Sequence, residues 1–192
     1  MPLSDFRVDD TPAPEYIPAL PRDATGLVFD QAIRKTGWVV AQSKANQVRV
    51  FDCGTLRTPD QQQRGNATTY AHAMAMYPQI DQVIETYGHQ VDFIAHEMPP
   101  TMKLARPESS LMAGLCVRIC AARRAPDVPL LMISKQKAAN LLTGNPNAKK
   151  IKMSDYLKEA SWIDVQAIEG KTYREDQYDA LSLFIAATAT GE

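Results

Sequence analysis

The sequence predicts an α/β fold, a mixed five-stranded sheet that begins as an antiparallel meander, continues with parallel strands and carries helices on both faces. Two observations point to it. Three strand-length apolar runs follow one another early in the chain with only short turns between them. Beyond residue 60, helix-length stretches alternate with short apolar runs, the pattern of strand–helix crossovers. At 192 residues, with 45% apolar and 22% charged side chains, the chain is long and apolar enough for one domain with a full core.

Residues 1–24 hold five of the thirteen prolines and no sustained periodicity, so they are expected to form a flexible arm, with 25–192 as the folded domain. GLVFD, ending at Asp30, is the first strand; TGWVVAQ and QVRVFDCGTL follow it, separated from each other by the turn SKAN. A helix is predicted from about Asp60 to Tyr87, with Pro78 inside it as a kink or break. VDFIAHE is a buried strand ending at Glu97, stopped by Pro99 and Pro100. In SSLMAGLCVRICAARR the apolar residues cover a wide arc of a helix, which therefore wants two partners. VPLLMIS is the fifth strand, SDYLKEA is helical, and EDQYDALSLFIAATAT closes the chain as a helix. On that last helix Asp176 and Asp179 share a face, roughly opposite a stripe of Leu181, Phe184, Ile185 and Thr188, so one side packs and the other presents acids.

A net charge of −1 and a pI near 6.3 give no global signature of nucleic-acid binding; phosphate contacts would have to come from a local basic strip. Neither a bilayer-length apolar run nor a signal-peptide core is present, so no membrane partner and a cytoplasmic location are expected. Cys53, Cys116 and Cys120 form no CxxC pair and are expected as buried thiols.

Asp30 and Glu97 carry the chemistry. Each follows an apolar strand, where unpaired charge is costly to keep. With the i,i+3 pair Asp176 and Asp179 they make four carboxylates from distant parts of the chain, which repel one another unless something positive lies between them. Hard oxygen donors of this kind suit Mg²⁺ or Mn²⁺ and hydrolysis of phosphodiesters. His96 alternates with Glu97, so it points to the other face and is expected to be packed or at the surface, not a ligand.

The same residues carry a family resemblance. LVFDQAIRKTGW, with Asp30 followed by Thr36, Gly37 and Trp38, resembles the opening of RuvC-like Holliday-junction resolvases. FIAHEMP is similar to the family's second acidic strand, KQKAANLLTGNPNAKKIKM to its Gly-turn and lysine segment, and DQYDALSLFIAA to its closing Asp-x-x-Asp-Ala-Leu helix. The motifs run in order over residues 26–187, and phage-encoded resolvases look like the nearest branch, which would put the protein in a host cytoplasm. The resemblance implies an RNase H-like fold, a homodimer, two divalent ions per site (Mg²⁺ or Mn²⁺), and cleavage of Holliday junctions, with forks and flaps as further branched substrates. It matches Asp30, Glu97, Asp176 and Asp179 to the acidic, metal-holding tetrad and Lys150 to the lysine near the scissile phosphate. The chain departs from the family in having Val28-Phe29 before the first Asp and Pro100 where the bacterial resolvases carry an aromatic wedge. Met102 and Leu104 are then the candidate wedges, and a broader preference for branched DNA is expected.

For DNA contact the stretch 135–158 offers six lysines against one acid, Asp155. Lys135, Lys137, Lys149 and Lys152, with Lys103 and Arg106 in the loop after Glu97, are the candidate DNA-binding residues. Leu111 and Leu115 are the candidate dimer interface. The alternatives are an RNase H-like nuclease acting on RNA–DNA hybrid or structured RNA, and a catalytically weak junction-binding protein.

Overall fold

The computed structural model describes residues 23–59, 66–99, 107–147, 150–169, 171 and 174–189. The proline-rich segment 1–22, the first residues of the helix expected from Asp60, and the loop 100–106 with Pro100, Met102, Lys103, Leu104 and Arg106 lie outside them.

Strands β1 (Ala24–Asp30), β2 (Lys35–Lys44) and β3 (Gln47–Arg57) form the predicted antiparallel meander. The β2–β3 hairpin turns on Ala45 and Asn46, both at positive φ (47° and 65°), as a two-residue turn matching the sheet twist requires. Strands β4 (Phe93–Glu97) and β5 (Leu130–Ile133) then add in parallel beyond β1. A two-residue strand, β6 (Ile163–Asp164), pairs in parallel with β3, so the sheet has six strands in the order β5-β4-β1-β2-β3-β6 and not the five expected. Two residues are too few for any periodicity to announce them.

Helices cover both faces. α1 (Asn66–Tyr87) and α2 (Pro107–Arg124) pack on one; α3 (Lys135–Thr143), α4 (Lys150–Glu159), α5 (Gln166–Glu169) and α6 (Arg174–Ala189) lie on the other. Strand alternation divides the core accordingly. Leu27, Phe29 and Ile94 face α1 and α2, whereas Val28, Phe93 and Ala95 face α6. The parity places Asp30 and Glu97 on the α6 face and His96 on the other.

Four helices differ from expectation. α1 runs through Pro78 without splitting; the carbonyl that loses its partner belongs to Met74, on the exposed side of the helix, where water can replace the bond. α3 and α5 form as helices of their own, α3 capped by Ser134 at its start and closed by Gly144 in the left-handed region (φ 68°). α6 does not divide into a packed stripe and an open acidic side. Gln177 to Thr188 are all buried, because the sheet, α3, α4 and α5 enclose the helix. Asp179 is therefore in the interior, 3% exposed. No helix among the described residues is long and apolar enough to cross a membrane.

On α2, Ala113, Cys116, Val117, Cys120 and Ala121 are buried against the α1 side, while Leu111, Leu115 and Ile119 project outward at 52%, 46% and 46% exposure. All three cysteines are free and buried; burial pushes the Cys53 and Cys120 thiols up to about 11 and about 12, so both stay protonated.

Candidate active site

The carboxylates meet where β1 and β4 end. β1 and β4 are adjacent and parallel, in register from Gly26↔Phe93 to Phe29↔His96. The next residue of each strand is an acid, on the same face. Asp30 is buried and Glu97 half-buried. β5 is the next parallel strand, and after it only Ser134 intervenes before α3 begins at Lys135. The short junction sends the Lys135 side chain back over the strand ends. Its Nζ lies 2.7 Å from Asp30 Oδ1, 3.4 Å from Glu97 Oε2 and 3.9 Å from Asp179 Oδ2.

The fourth acid stands apart. Asp176 Oδ2 is 2.5 Å from Nζ of Lys35, the first residue of β2, and that buried oxygen has no hydrogen bond of good geometry. The first turn of α6 comes this close because residue 37 is glycine. A Cβ on Gly37 would fall 2.1 Å from the Asp176 carbonyl oxygen, and Gly37 is the strand partner of Asp30. Thr36 is fully buried, and its hydroxyl closes the β1–β2 turn by donating to Ala32 O at 3.0 Å. On the far side of α6, Gln177 takes the Cys53 thiol at 3.7 Å and reaches Thr55 Oγ1 at 3.5 Å, fixing the helix to β3.

Burial sets the electrostatics. It raises the Glu97 carboxyl; Lys135 opposes the shift and Asp30 adds to it, leaving Glu97 at about 7. Burial works against the Lys135 charge, but Asp30, Glu97 and Asp179 outweigh it and hold the ammonium above the usual lysine range. Three carboxylates thus share one cation in a partly dry site.

A hard divalent ion fits this donor set. Among the described residues no three acidic, histidine or cysteine side chains are close enough to hold a metal as they stand; the point that Asp30, Glu97 and Asp179 share is taken by the ammonium, a stand-in cation. Their convergence on a positive centre, all through oxygen, is the arrangement Mg²⁺ or Mn²⁺ prefers.

Of the residues singled out in the sequence, Asp30, Glu97 and Asp179 come together, and Asp176 lies one helical turn away on Lys35. Lys135, grouped with a basic strip by composition, lies inside the carboxylate cluster instead. Lys137 is exposed on α3. Lys150 and Lys152 belong to the first turn of α4, with side chains outside the described ones, and Lys149 is outside the described residues. His96 is fully buried and turned away from the acids. Sequence reasoning passed over Lys35 and Gln31. Gln31 carries an amide bonded at both ends to the Glu97 backbone. A cavity between α4, β6 and the start of β3, lined by Arg49 and Trp162 among others, lies at the opposite end of the sheet and contains none of the acids.

No family model matches the chain, and no curated protein matches it in sequence. Solved structures do. Thermus thermophilus RuvC in complex with Holliday junction substrate is 16% identical, with a TM-score of 0.62 over 85% of this chain and 92% of that one. The Thermus thermophilus RuvC structure gives 16% identity and a TM-score of 0.60 over 85% of this chain and 93% of its own. At that identity the likeness establishes the fold, which is the RNase H-like α/β fold.

Proposed function

We propose that the chain is a metal-dependent, structure-selective endodeoxyribonuclease that cleaves four-way DNA junctions and other branched DNA. The observation that carries the proposal is the convergence of Asp30, Glu97 and Asp179 on a single cation at the strand ends of an RNase H-like sheet. Neutral binding modules rarely keep so many buried acids at one point, because each must be compensated.

In this reading Asp30, Glu97 and Asp179 would hold two divalent ions, Mg²⁺ or Mn²⁺, with Asp176 as a further ligand. Bound ions of this type supply hydroxide at neutral pH and take up charge on the leaving 3′-oxygen. The protein's own part is to present the carboxylates on one face; Glu97 would give up its proton to water when an ion binds. Lys135, released from the acids, and Lys150, at the start of α4, supply positive charge to the phosphate. Lys137, Lys149, Lys152, Lys103 and Arg106 extend the phosphate contacts. The outward stripe of Leu111, Leu115 and Ile119 is proposed to join two copies, so that two sites cut two strands.

The test is cleavage of labelled four-way junction, flap, fork, duplex and RNA–DNA hybrid in Mg²⁺ and in Mn²⁺, with Asp30→Asn alongside. Junction cutting that Asp30→Asn loses while still binding DNA is the expected result. Preference for the hybrid would move the protein to the RNA-directed nucleases. Junction binding without hydrolysis in either metal would make it a binding module.

A further inference from the structure

Glu97 is held by more of the molecule than a carboxylate at a strand end needs. The Gln31 side chain, 2% exposed, donates from Nε2 to Glu97 O at 2.6 Å and accepts the Glu97 N–H on Oε1 at 2.8 Å. A primary amide offers the same donor and acceptor as a peptide group. Backbone pairing of β1 with β4 ends at Phe29↔His96, and Gln31 extends it one step with its side chain. On the other side of β4 the Met98 N–H donates to Ile133 O at 2.8 Å. The backbone that carries Glu97 is therefore tied across both neighbouring strands, and one tie comes from the residue next to Asp30.

Glu97 O receives a second bond. Nδ1 of the fully buried His96 lies 2.8 Å from it, and His96 Nε2 lies 3.2 Å from Arg118 Nε on α2. An arginine N–H can only donate, so Nε2 is the acceptor and the ring proton is on Nδ1, directed at Glu97 O. Arg118 is itself set by a contact from Nη2 to Met132 Sδ at 2.9 Å, on β5. Gln31, His96 and Arg118 form one continuous frame, and its three inner bonds all end on the backbone of Glu97, two on its carbonyl oxygen and one on its N–H.

We propose that Gln31 is a positioning residue that fixes Glu97 relative to Asp30 for metal binding, with His96 and Arg118 holding the Glu97 carbonyl from behind. The inference rests on the nuclease reading only in taking Glu97 as a metal-holding acid. Satisfied buried amides are common in cores. Here both bonds of the amide go to the backbone of one acid, from the residue adjoining the other, which is the coupling a two-carboxylate site needs. Partners behind a metal ligand typically control affinity or activity by about 10–100-fold.

The experiment compares wild type, Gln31→Met, His96→Leu and His96→Asn in three measurements. Hydrogen exchange of the Glu97 amide is read in metal-free protein, Mn²⁺ affinity by calorimetry, and kcat and KM on a four-way junction. Gln31→Met should lose Glu97 amide protection, weaken Mn²⁺ about tenfold and lower kcat with KM nearly unchanged. His96→Leu should weaken Mn²⁺ severalfold. His96→Asn, whose amide can replace the Nδ1 donor, should recover most of that loss; this pair carries the test if Gln31→Met does not fold. Unchanged Mn²⁺ affinity and kcat in Gln31→Met, or equal losses in His96→Leu and His96→Asn, overturn the positioning role and leave the nuclease reading standing. Mn²⁺ binding that depends on Gln31 without cleavage of any substrate supports the positioning role and removes the nuclease. Wild-type protein that binds no Mn²⁺ overturns both.

Discussion

Replacing Lys135 by methionine removes the cation shared by three acids while keeping a chain of similar length. The side chains of Asp30, Glu97 and Asp179 are 9%, 17% and 4% exposed, and that of Lys135 is 28% exposed, so water screens the cluster only in part. Taking away one partner of a buried pair costs about 3–5 kcal/mol, and the partial exposure of Lys135 favours the lower end. For a domain of this size, a loss of about 3 kcal/mol lowers Tm by roughly 6–12 °C.

The same substitution should act in the opposite direction on metal. In the wild type an incoming ion must displace the ammonium from Asp30 Oδ1, 2.7 Å away; in Lys135→Met it meets carboxylates already short of a counter-charge. If the ion restores all that the lysine supplied, about 3 kcal/mol becomes a gain in Mn²⁺ affinity of roughly 100-fold. Thermal unfolding in EDTA and in Mn²⁺, with calorimetric titration of Mn²⁺, reads both effects. The expected result is a variant less stable than wild type in EDTA and close to it in saturating Mn²⁺. Unchanged stability in EDTA together with unchanged or weaker Mn²⁺ binding would refute the placement of Lys135 among the acids.

Gly37→Ala should be disproportionately harmful for one methyl group. It forces α6 off β2 at the Asp176 carbonyl, so about 1–3 kcal/mol of stability and most Mn²⁺ affinity should be lost together, as chemical unfolding and calorimetry would show. With Glu97 raised by burial and by Asp30 from 4.5 to about 7, the metal-free fold keeps a proton that the unfolded chain has released. The contribution of Glu97 to stability therefore falls as pH rises between those values and is level outside them. Metal binding requires the ionised form, so Mn²⁺ affinity should drop about tenfold per unit below pH 7, and a flat profile would contradict the shift. Leu115→Glu, at an exposed position, should convert a dimer to monomer in sedimentation without lowering the stability of the monomer fold; a monomeric wild type removes the proposed interface.

Asp30 and Glu97 were legible because charge at the end of an apolar strand is expensive and therefore informative. The antiparallel meander was legible because three strand-length apolar runs follow one another with only short turns between them. Asp179 was found by its spacing, but its surroundings were not. A stripe drawn at 100° per residue assumes one packed side, whereas α6 is enclosed all round by elements whose arrangement no local pattern encodes. Gln31 gave no signal, because an amide after a strand looks like any polar loop residue until the Glu97 backbone is beside it.

Lys135 shows why the remainder needed the sheet order. A count of charges assigns it to a basic strip with five other lysines. Only the order β5-β4-β1 makes Asp30 and Glu97, the last residues of two strands, and Lys135, just past a third, into neighbours. One local clue was nevertheless present. Ser134 caps a helix whose first turn contains lysine and no acid, the reverse of what the helix dipole favours. A cation kept at the positive end of a helix needs compensation from elsewhere in the fold. The acids at the ends of β1 and β4 supply it, so the residue that breaks the local preference is the one that lies at the centre of the proposed site.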